Sequence, residues 1–284
     1  MAPWSTHRKT AGIGAFALAT ALLISSCGGE STSTTDATGS AAPSAAAGVQ
    51  LVSSGKLTTC TNVPYEPFQF NDENGKVVGF DVDIVDLVAK KLGVEQAIVD
   101  IDFAAIKSGA AMNAGKCDVA AAGMTITDER KQNIDFSVPY FDSTQALMAK
   151  KGSGVTSLDD VKAKGLKLGA QASTTGLMYA KDNGFDPVEF ADSPKELNGL
   201  QAGRVDVIIQ DLPVVLTWLK KSDIGEKFEM VASLDTGEQY GIGMKKGNTE
   251  LVKVVDEVIE AAKADGTYNE IYKKWFGTEP PTSS

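Results

Sequence analysis

An α/β protein built from two similar lobes is the fold class this sequence predicts, and three features predict it. From Lys56 onward, strand-like and helix-like segments alternate, as they do in α/β folds with largely parallel sheets. Asp81 to Leu92 shows the helical half clearly, and a twelve-residue pattern early in the chain recurs later.

Val85, Val88 and Leu92 share one helical face, with Asp81 and Asp83 in the first turn and Lys90 and Lys91 in the last. Those charges complement the helix dipole, and Gly93 supplies the residue that closes such a helix. Later, Ser193-Pro194-Lys195-Glu196 combines an N-cap, a proline at the first helical position and a capping-box acid, so a helix to about Ala202 is expected. The recurring pattern is AGKCDVAAAGMT, Ala114 to Thr125, and AGRVDVIIQDLP, Ala202 to Pro213, which share A-G-basic-x-D-V before small or apolar residues. Each copy reads as a helix end, a tight turn and a buried parallel strand. The match marks two equivalent lobes or, alternatively, common helix-to-strand grammar. Two lobes with facing strand ends would form a cleft, because ligands of open α/β sheets bind beyond the carboxyl ends of the strands.

The start of the chain has another character. His7, Arg8 and Lys9 form a basic segment, Ala11 to Ile24 is apolar and free of charge, and Ile24-Ser25-Ser26-Cys27 places small residues before a cysteine. The apolar run is too short for a bilayer core of ~30 Å and suits a secretory signal. Its end resembles the bacterial lipobox, in which the cysteine, here Cys27, is lipidated and becomes the new N-terminus; an ordinary signal peptide cut elsewhere is the alternative. Gly28 to Gln50 is rich in Ser, Thr, Ala and Gly without an aromatic residue, a composition that cannot offset its chain entropy by burial and reads as a flexible spacer.

Removing the signal takes Arg8 and Lys9 from the 27 basic residues, leaving 25 against 37 acidic ones and a net charge of −12. Such an acidic body argues against nucleic acid and anionic lipid as partners. His7, the one histidine, leaves with the signal, so the mature chain holds no Ser-His-Asp or Cys-His nucleophile and no histidine-containing metal site. Cys60 and Cys117 remain. Export makes a disulfide conceivable, but if the two lie at opposite ends of neighbouring parallel strands they are too far apart to bond, and two buried free thiols are expected.

MTITDERKQNIDFSVPY, Met124 to Tyr140, begins just past the Asp118 to Ala122 strand. Thr127 can cap a short helical turn that starts with Asp128 and Glu129. Arg130 can pair with those acids on the surface, or, lying at a strand-end cleft, present its planar fork to a carboxylate. Past the other strand end, Asp211 can cap the helix that begins near Pro213 or face the cleft and bind an ammonium. An Arg on one lobe and an Asp on the other match a zwitterion, which points to an α-amino acid. Tyr65, Phe68 and Phe103 offer aromatic walls of the kind that line small-ligand sites. Phe68 reads as core, and Tyr65, set between two prolines and an acid, is expected to be partly exposed.

Gly79-Phe80-Asp81-Val82-Asp83-Ile84, Met124 to Tyr140, Gln171-Ala172-Ser173-Thr174-Thr175-Gly176 and Asp206 to Pro213 together resemble, in order, the family 3 bacterial solute-binding proteins of polar amino-acid ABC importers. The resemblance runs from about Lys56 to Gly277. It implies a two-lobed periplasmic-binding-protein-like fold of type II, with the ligand cleft between lobes joined by two crossing strands. The expected divisions are a signal peptide at 1–26, a linker at 27–50, lobe 1 at 51–142 plus 241–277, lobe 2 at 147–235, hinge strands at 143–146 and 236–240, and a tail at 278–284. Carried over by position, Arg130, Thr125 and Thr175 would hold the ligand carboxylate. Gly123 through its carbonyl and Asp211 would take the ammonium, with Tyr65 and Phe103 sandwiching the side chain. Asn62, Gln171 and Gln210 fall where family members read that side chain. Many relatives carry an acid at the place of Asn62. With all three residues neutral, a polar uncharged ligand is expected, glutamine-like first and cystine-like second. The resemblance thus implies a monomeric receptor, lipid-anchored on the outer face of the cell membrane, that delivers an amino acid to ABC permease subunits without cofactor, metal or catalysis. The alternatives are an exported dehydratase-like enzyme on the same fold, with Glu66 or Glu238 as general acid or base, and an amino-acid sensor.

Overall fold

The protein is described here by a computed structural model that covers residues 48–281. The expected signal peptide, the expected lipidation site at Cys27, nearly all of the expected linker and the end of the tail lie outside the described residues.

Two five-stranded sheets form the framework. In chain order, β1 (Lys56–Thr61), β2 (Phe70–Asn71), β3 (Val77–Val78), β4 (Glu95–Asp100), β5 (Val119–Ala120) and β6 (Ile134–Phe136) come first. They are followed by β7 (Phe141–Lys150), β8 (Leu168–Gln171), β9 (Val188–Phe190), β10 (Val207–Asp211), β11 (Phe228–Tyr240) and β12 (Gly243–Lys245). The first sheet has the order β4-β1-β5-β12-β6, the second β11-β7-β10-β8-β9, and β2 and β3 form a separate hairpin. Each sheet holds four strands that run one way and a single strand that runs against them. In the first, β4 and β5 flank β1 in parallel, whereas β12 runs antiparallel to β5 and β6. In the second, β9, β8, β10 and β11 run one way and β7 is antiparallel to its neighbours β10 and β11. The reason is the route of the chain. It passes from the first sheet to the second along β7, which therefore runs against the βα units of that sheet, and returns along β11, which runs with them.

The recurring A-G-basic-x-D-V pattern performs the same task in both sheets. Asp118 accepts the Thr58 amide of β1 through Oδ2 at 2.8 Å, and Asp206 accepts the Lys167 amide at the start of β8 at 2.8 Å. Gly115 and Gly203 sit in the left-handed region, at φ 65° and 69°, and turn the preceding helix into the strand. The two copies are therefore equivalent pieces of two lobes.

The first predicted helix runs Phe80–Leu92 and ends on Gly93 at φ 70°. The later one runs Ser193–Gln201, but its N-cap is Asp192, whose side chain accepts from the Lys195 amide. With the cap one residue earlier, Glu196 is not a capping-box acid, and it turns inward. A cluster of Phe68, Phe80, Phe141, Tyr272 and Phe276 packs the C-terminal helix Thr267–Phe276 against this body. Among the described residues no helix is long and apolar enough to cross a membrane.

Cys60 and Cys117 are joined by a disulfide, with S–S 2.02 Å and Cα–Cα 5.6 Å, which overturns the expectation of free thiols. That expectation placed Cys117 at a strand start. β5 begins only at Val119, however, and Cys117 belongs to the turn before it, where the Lys116 amide bonds back to the Ala111 carbonyl. The turn carries Cys117 back beneath β1.

Candidate functional site

The carboxyl ends of β1, β5, β8 and β10 converge on one small cavity between the two sheets. Nine of the ten ligand-site positions expected from sequence line it: Asn62, Tyr65, Phe103, Gly123, Thr125, Arg130, Gln171, Thr175 and Asp211. Gln210 does not; it lies behind Tyr65, with its Oε1 2.8 Å from the tyrosine hydroxyl. Gln69, Ala122 and Thr174 complete the lining.

Arg130 lies in the short helix Asp128–Lys131, which Thr127 caps by accepting the Arg130 amide. The acids beside it are engaged elsewhere: Asp128 pairs with Lys131 at 3.6 Å and Glu129 with Lys107 at 3.5 Å. Arg130 itself is 4% exposed. Its guanidinium donates to the Thr125 carbonyl at 2.7 Å and, across the cleft, to the Ser173 carbonyl at 3.3 Å. It lies 5.3 Å from the centroid of the Phe103 ring, within cation–π range. It forms no salt bridge with any described residue. Burial pushes its pKa down, opposed by the more distant charges of Asp211 and Glu238. Ser173, at φ 69°, is the one non-glycine among the described residues in the left-handed region, a conformation found where surrounding structure over-determines it.

On the other lobe, Asp211 ends β10 and precedes the helix Leu212–Leu219, but its side chain does not cap that helix. The carboxylate faces the cleft, where it accepts from the Tyr65 hydroxyl at 2.5 Å, from Gln145 Nε2 at 2.5 Å and from the Tyr240 hydroxyl. Burial, and next the nearby Glu238, push its pKa up to about 6 against the pull of those hydrogen bonds. Tyr65 is buried rather than partly exposed, because Gln210 and Asp211 of the opposite lobe cover its hydroxyl end. Its ring stacks on Phe68, which belongs to the core as expected.

Gly123 must be glycine on two counts. Its φ is +55°, and a Cβ there would fall 2.8 Å from Tyr65 Cε1. Its amide donates to Asp81 Oδ2 at 2.8 Å, while Asp81 Oδ1 accepts from the Tyr140 hydroxyl at 2.7 Å. Burial raises the Asp81 pKa to about 6.

Glu238, on β11, is a part of the site that sequence reasoning considered only as an acid catalyst. Its Oε2 accepts from Thr125 Oγ1 and Thr175 Oγ1, each at 3.0 Å, so one carboxylate on a crossing strand touches a threonine from each lobe. Three side-chain amides, Asn62, Gln69 and Gln171, are part of the cavity lining. Asn62 donates Nδ2 to the Ile101 carbonyl, and Gln69 donates Nε2 to the Asn62 carbonyl, each at 3.1 Å. Gln69 Oε1 and Gln171 Oε1 are buried without a partner among the described residues. Nothing in local periodicity singles out Gln69 or Glu238; only the assembled cleft does.

Two α/β lobes carried on two crossing strands, with a small polar cavity at their facing strand ends, define a two-lobed solute-binding protein. The chain belongs to the bacterial extracellular solute-binding proteins, family 3, whose sequence pattern matches residues 57–278. It is 34% identical over 269 residues to a probable histidine-binding protein of Neisseria gonorrhoeae, covering 91% of this chain and 92% of that one. Among solved structures it resembles an ancestral arginine-binding protein bound to arginine, with 42% identity and a TM-score of 0.73, covering 78% of this chain and 99% of the other. An ancestral arginine-binding protein bound to glutamine is similar at 41% identity and a TM-score of 0.73, covering 79% and 99%.

Proposed function

We propose that this chain is a lipid-anchored receptor on the outer face of the cell membrane that binds a polar, uncharged amino acid, glutamine-like, between its lobes and hands it to an ABC permease. The observation that carries the reading is Arg130: a buried guanidinium, bonded only to main-chain carbonyls, with no acid partner among the described residues. A buried charge without a counter-charge is strongly unfavourable, so a ligand carboxylate is the partner that suits it. Thr125 and Thr175 supply hydroxyls beside it. Asp211, across the cavity, has the charge and orientation to take the ammonium.

The side-chain end supports the ligand class. Gln69 Oε1 and Asn62 Oδ1 are left as acceptors by the fixed bonds of their nitrogens, which suits N–H donors and disfavours a second carboxylate. The Gln171 amide can answer a carbonyl, so a carboxamide fits all three. A relative bound to glutamine and one bound to arginine are in keeping with a donor-bearing side chain. An enzymatic role for the acids finds no support here: Glu66 pairs with Lys221 at the cleft rim at 2.7 Å, and Glu238 is held by two threonines.

The test is a thermal-shift screen of the full chain against all common amino acids. L-glutamine at about a hundred times its Kd should add ~2.7 kcal/mol of stability, and no shift from any amino acid refutes the receptor reading.

A further inference from the structure

Glu196 is the one fully buried carboxyl in the second lobe that this reading leaves without a task. It is 0% exposed, and among the described residues its carboxyl has one hydrogen bond, from Gln210 Nε2 to its Oε2 at 2.8 Å, while its Oε1 has no partner. An acid held that deep is unfavourable unless its one contact matters, since an apolar residue of similar shape would pack there without desolvating a polar group. The contact is a specific one. Gln210 Oε1 accepts the Asp211 amide at 2.8 Å, which fixes the sense of the carboxamide and turns its NH₂ towards Glu196. The same Oε1 receives the Tyr65 hydroxyl from the opposite lobe at 2.8 Å.

We propose that Glu196 is a positioning residue for ligand retention: by anchoring the Gln210 carboxamide in one sense, it presents Gln210 Oε1 to the Tyr65 hydroxyl and so latches the two lobes over the cavity. The inference rests on the receptor reading above. Without an acceptor at Glu196, the Gln210 NH₂ would be buried and unpaired, and the amide would rotate in search of a partner. Tyr65 would then keep Asp211 alone as its partner across the cleft, and Asp211 is the group asked to receive the ligand ammonium. Burial, assisted by the nearby Asp211 charge and opposed by the Gln210 hydrogen bond, pushes the Glu196 carboxyl well above the ordinary range. Glutamine matches it in shape and keeps an accepting oxygen, whereas leucine keeps only the shape.

The experiment is a mutant cycle in the full chain with L-glutamine as the probe. Glu196→Leu should weaken binding about three- to tenfold, the range of one neutral hydrogen bond, with faster dissociation, and Glu196→Gln should stay within about twofold of wild type. In a Tyr65→Phe background the effect of Glu196→Leu should vanish, because the hydroxyl it serves is gone. Gln210→Leu is the second probe should the first fold poorly: it should reproduce the loss. An unchanged affinity in folded Glu196→Leu, an equal loss in the Phe background, or failure of Glu196→Gln to rescue would overturn the proposal. A wild-type chain that ignores L-glutamine overturns the glutamine reading alone. The same cycle is then read in the unfolding midpoint of the ligand-free chain, where additivity between Glu196→Leu and Tyr65→Phe overturns the role given to Glu196.

Discussion

Replacing Arg130 by alanine separates a binding role from a structural one, because the two roles predict opposite patterns. In the ligand-free chain the guanidinium donates to two main-chain carbonyls, at 2.7 and 3.3 Å, and faces the Phe103 ring at 5.3 Å. Hydrogen bonds from a charged donor contribute roughly 1.5–3 kcal/mol each, but holding a guanidinium out of water costs several kcal/mol. The two nearly offset, so Arg130→Ala should move the unfolding midpoint of the ligand-free chain little. Binding has no such compensation. The ligand carboxylate would be left buried without its partner, which costs ~2–5 kcal/mol, or about thirty- to several-thousand-fold in Kd. Calorimetric titration with L-glutamine reads the affinity, and chemical denaturation without amino acid reads the stability. Unchanged affinity, or a stability loss as large as the affinity loss, refutes the assignment of Arg130 to the ligand carboxylate.

Three further outcomes are expected. Asp211 and Asp81 both hold their protons up to about pH 6, above the ordinary carboxyl value of 3.8, so the stability tied to their neutral forms is lost as pH rises from about 4 through about 6. An ammonium prefers the Asp211 carboxylate, so L-glutamine affinity should rise over that same window while ligand-free stability falls; a flat affinity profile between about pH 4 and 6 refutes the pairing. Gly123→Ala should lose roughly 1–2 kcal/mol from its left-handed backbone alone and weaken binding further, because the new Cβ would press on Tyr65, and melting and titration together check this. Reduction of the Cys60–Cys117 disulfide, which spans 57 positions, should lower stability by ~4 kcal/mol on the chain-entropy account, measured as the denaturant midpoint with and without dithiothreitol.

What could be read from the sequence was whatever local spacing encodes. The Phe80–Leu92 helix announces itself through its apolar face, its terminal charges and Gly93. The paired roles of Asp118 and Asp206 follow from a pattern that two lobes repeat. The location of the cavity follows as well, since ligand sites collect at strand ends and both copies of the pattern lead to one. The single strand that runs against each sheet, β7 in one and β12 in the other, follows from how the chain travels between lobes, which no window of residues contains. Cys117 was misplaced for a smaller reason: a two-residue strand was taken for a longer one, and the turn before it reverses the chain.

Contacts across the cleft were the least legible, and they carry the most function. Tyr65 and Gln210 stand 145 positions apart, and Arg130 and Ser173 stand 43 apart. Only closure of one lobe on the other gives those pairs meaning. Tyr65 looked exposed because its own loop has nothing to bury it, and Glu196 looked like a capping acid because Ser193 and Pro194 imitate a helix start. The imitation fails for a definite reason. Asp192, one residue earlier, accepts the Lys195 amide, so the helix has no further use for an acid at its start and Glu196 is free to turn into the core. There it meets Gln210, and through Gln210 the tyrosine of the other lobe. A one-residue shift of a helix cap thus moves an acid from the surface of one lobe into the hydrogen-bonded chain that joins both. For that reason Glu196→Gln and Glu196→Leu, alike in size and unlike in accepting oxygen, should part company in ligand affinity.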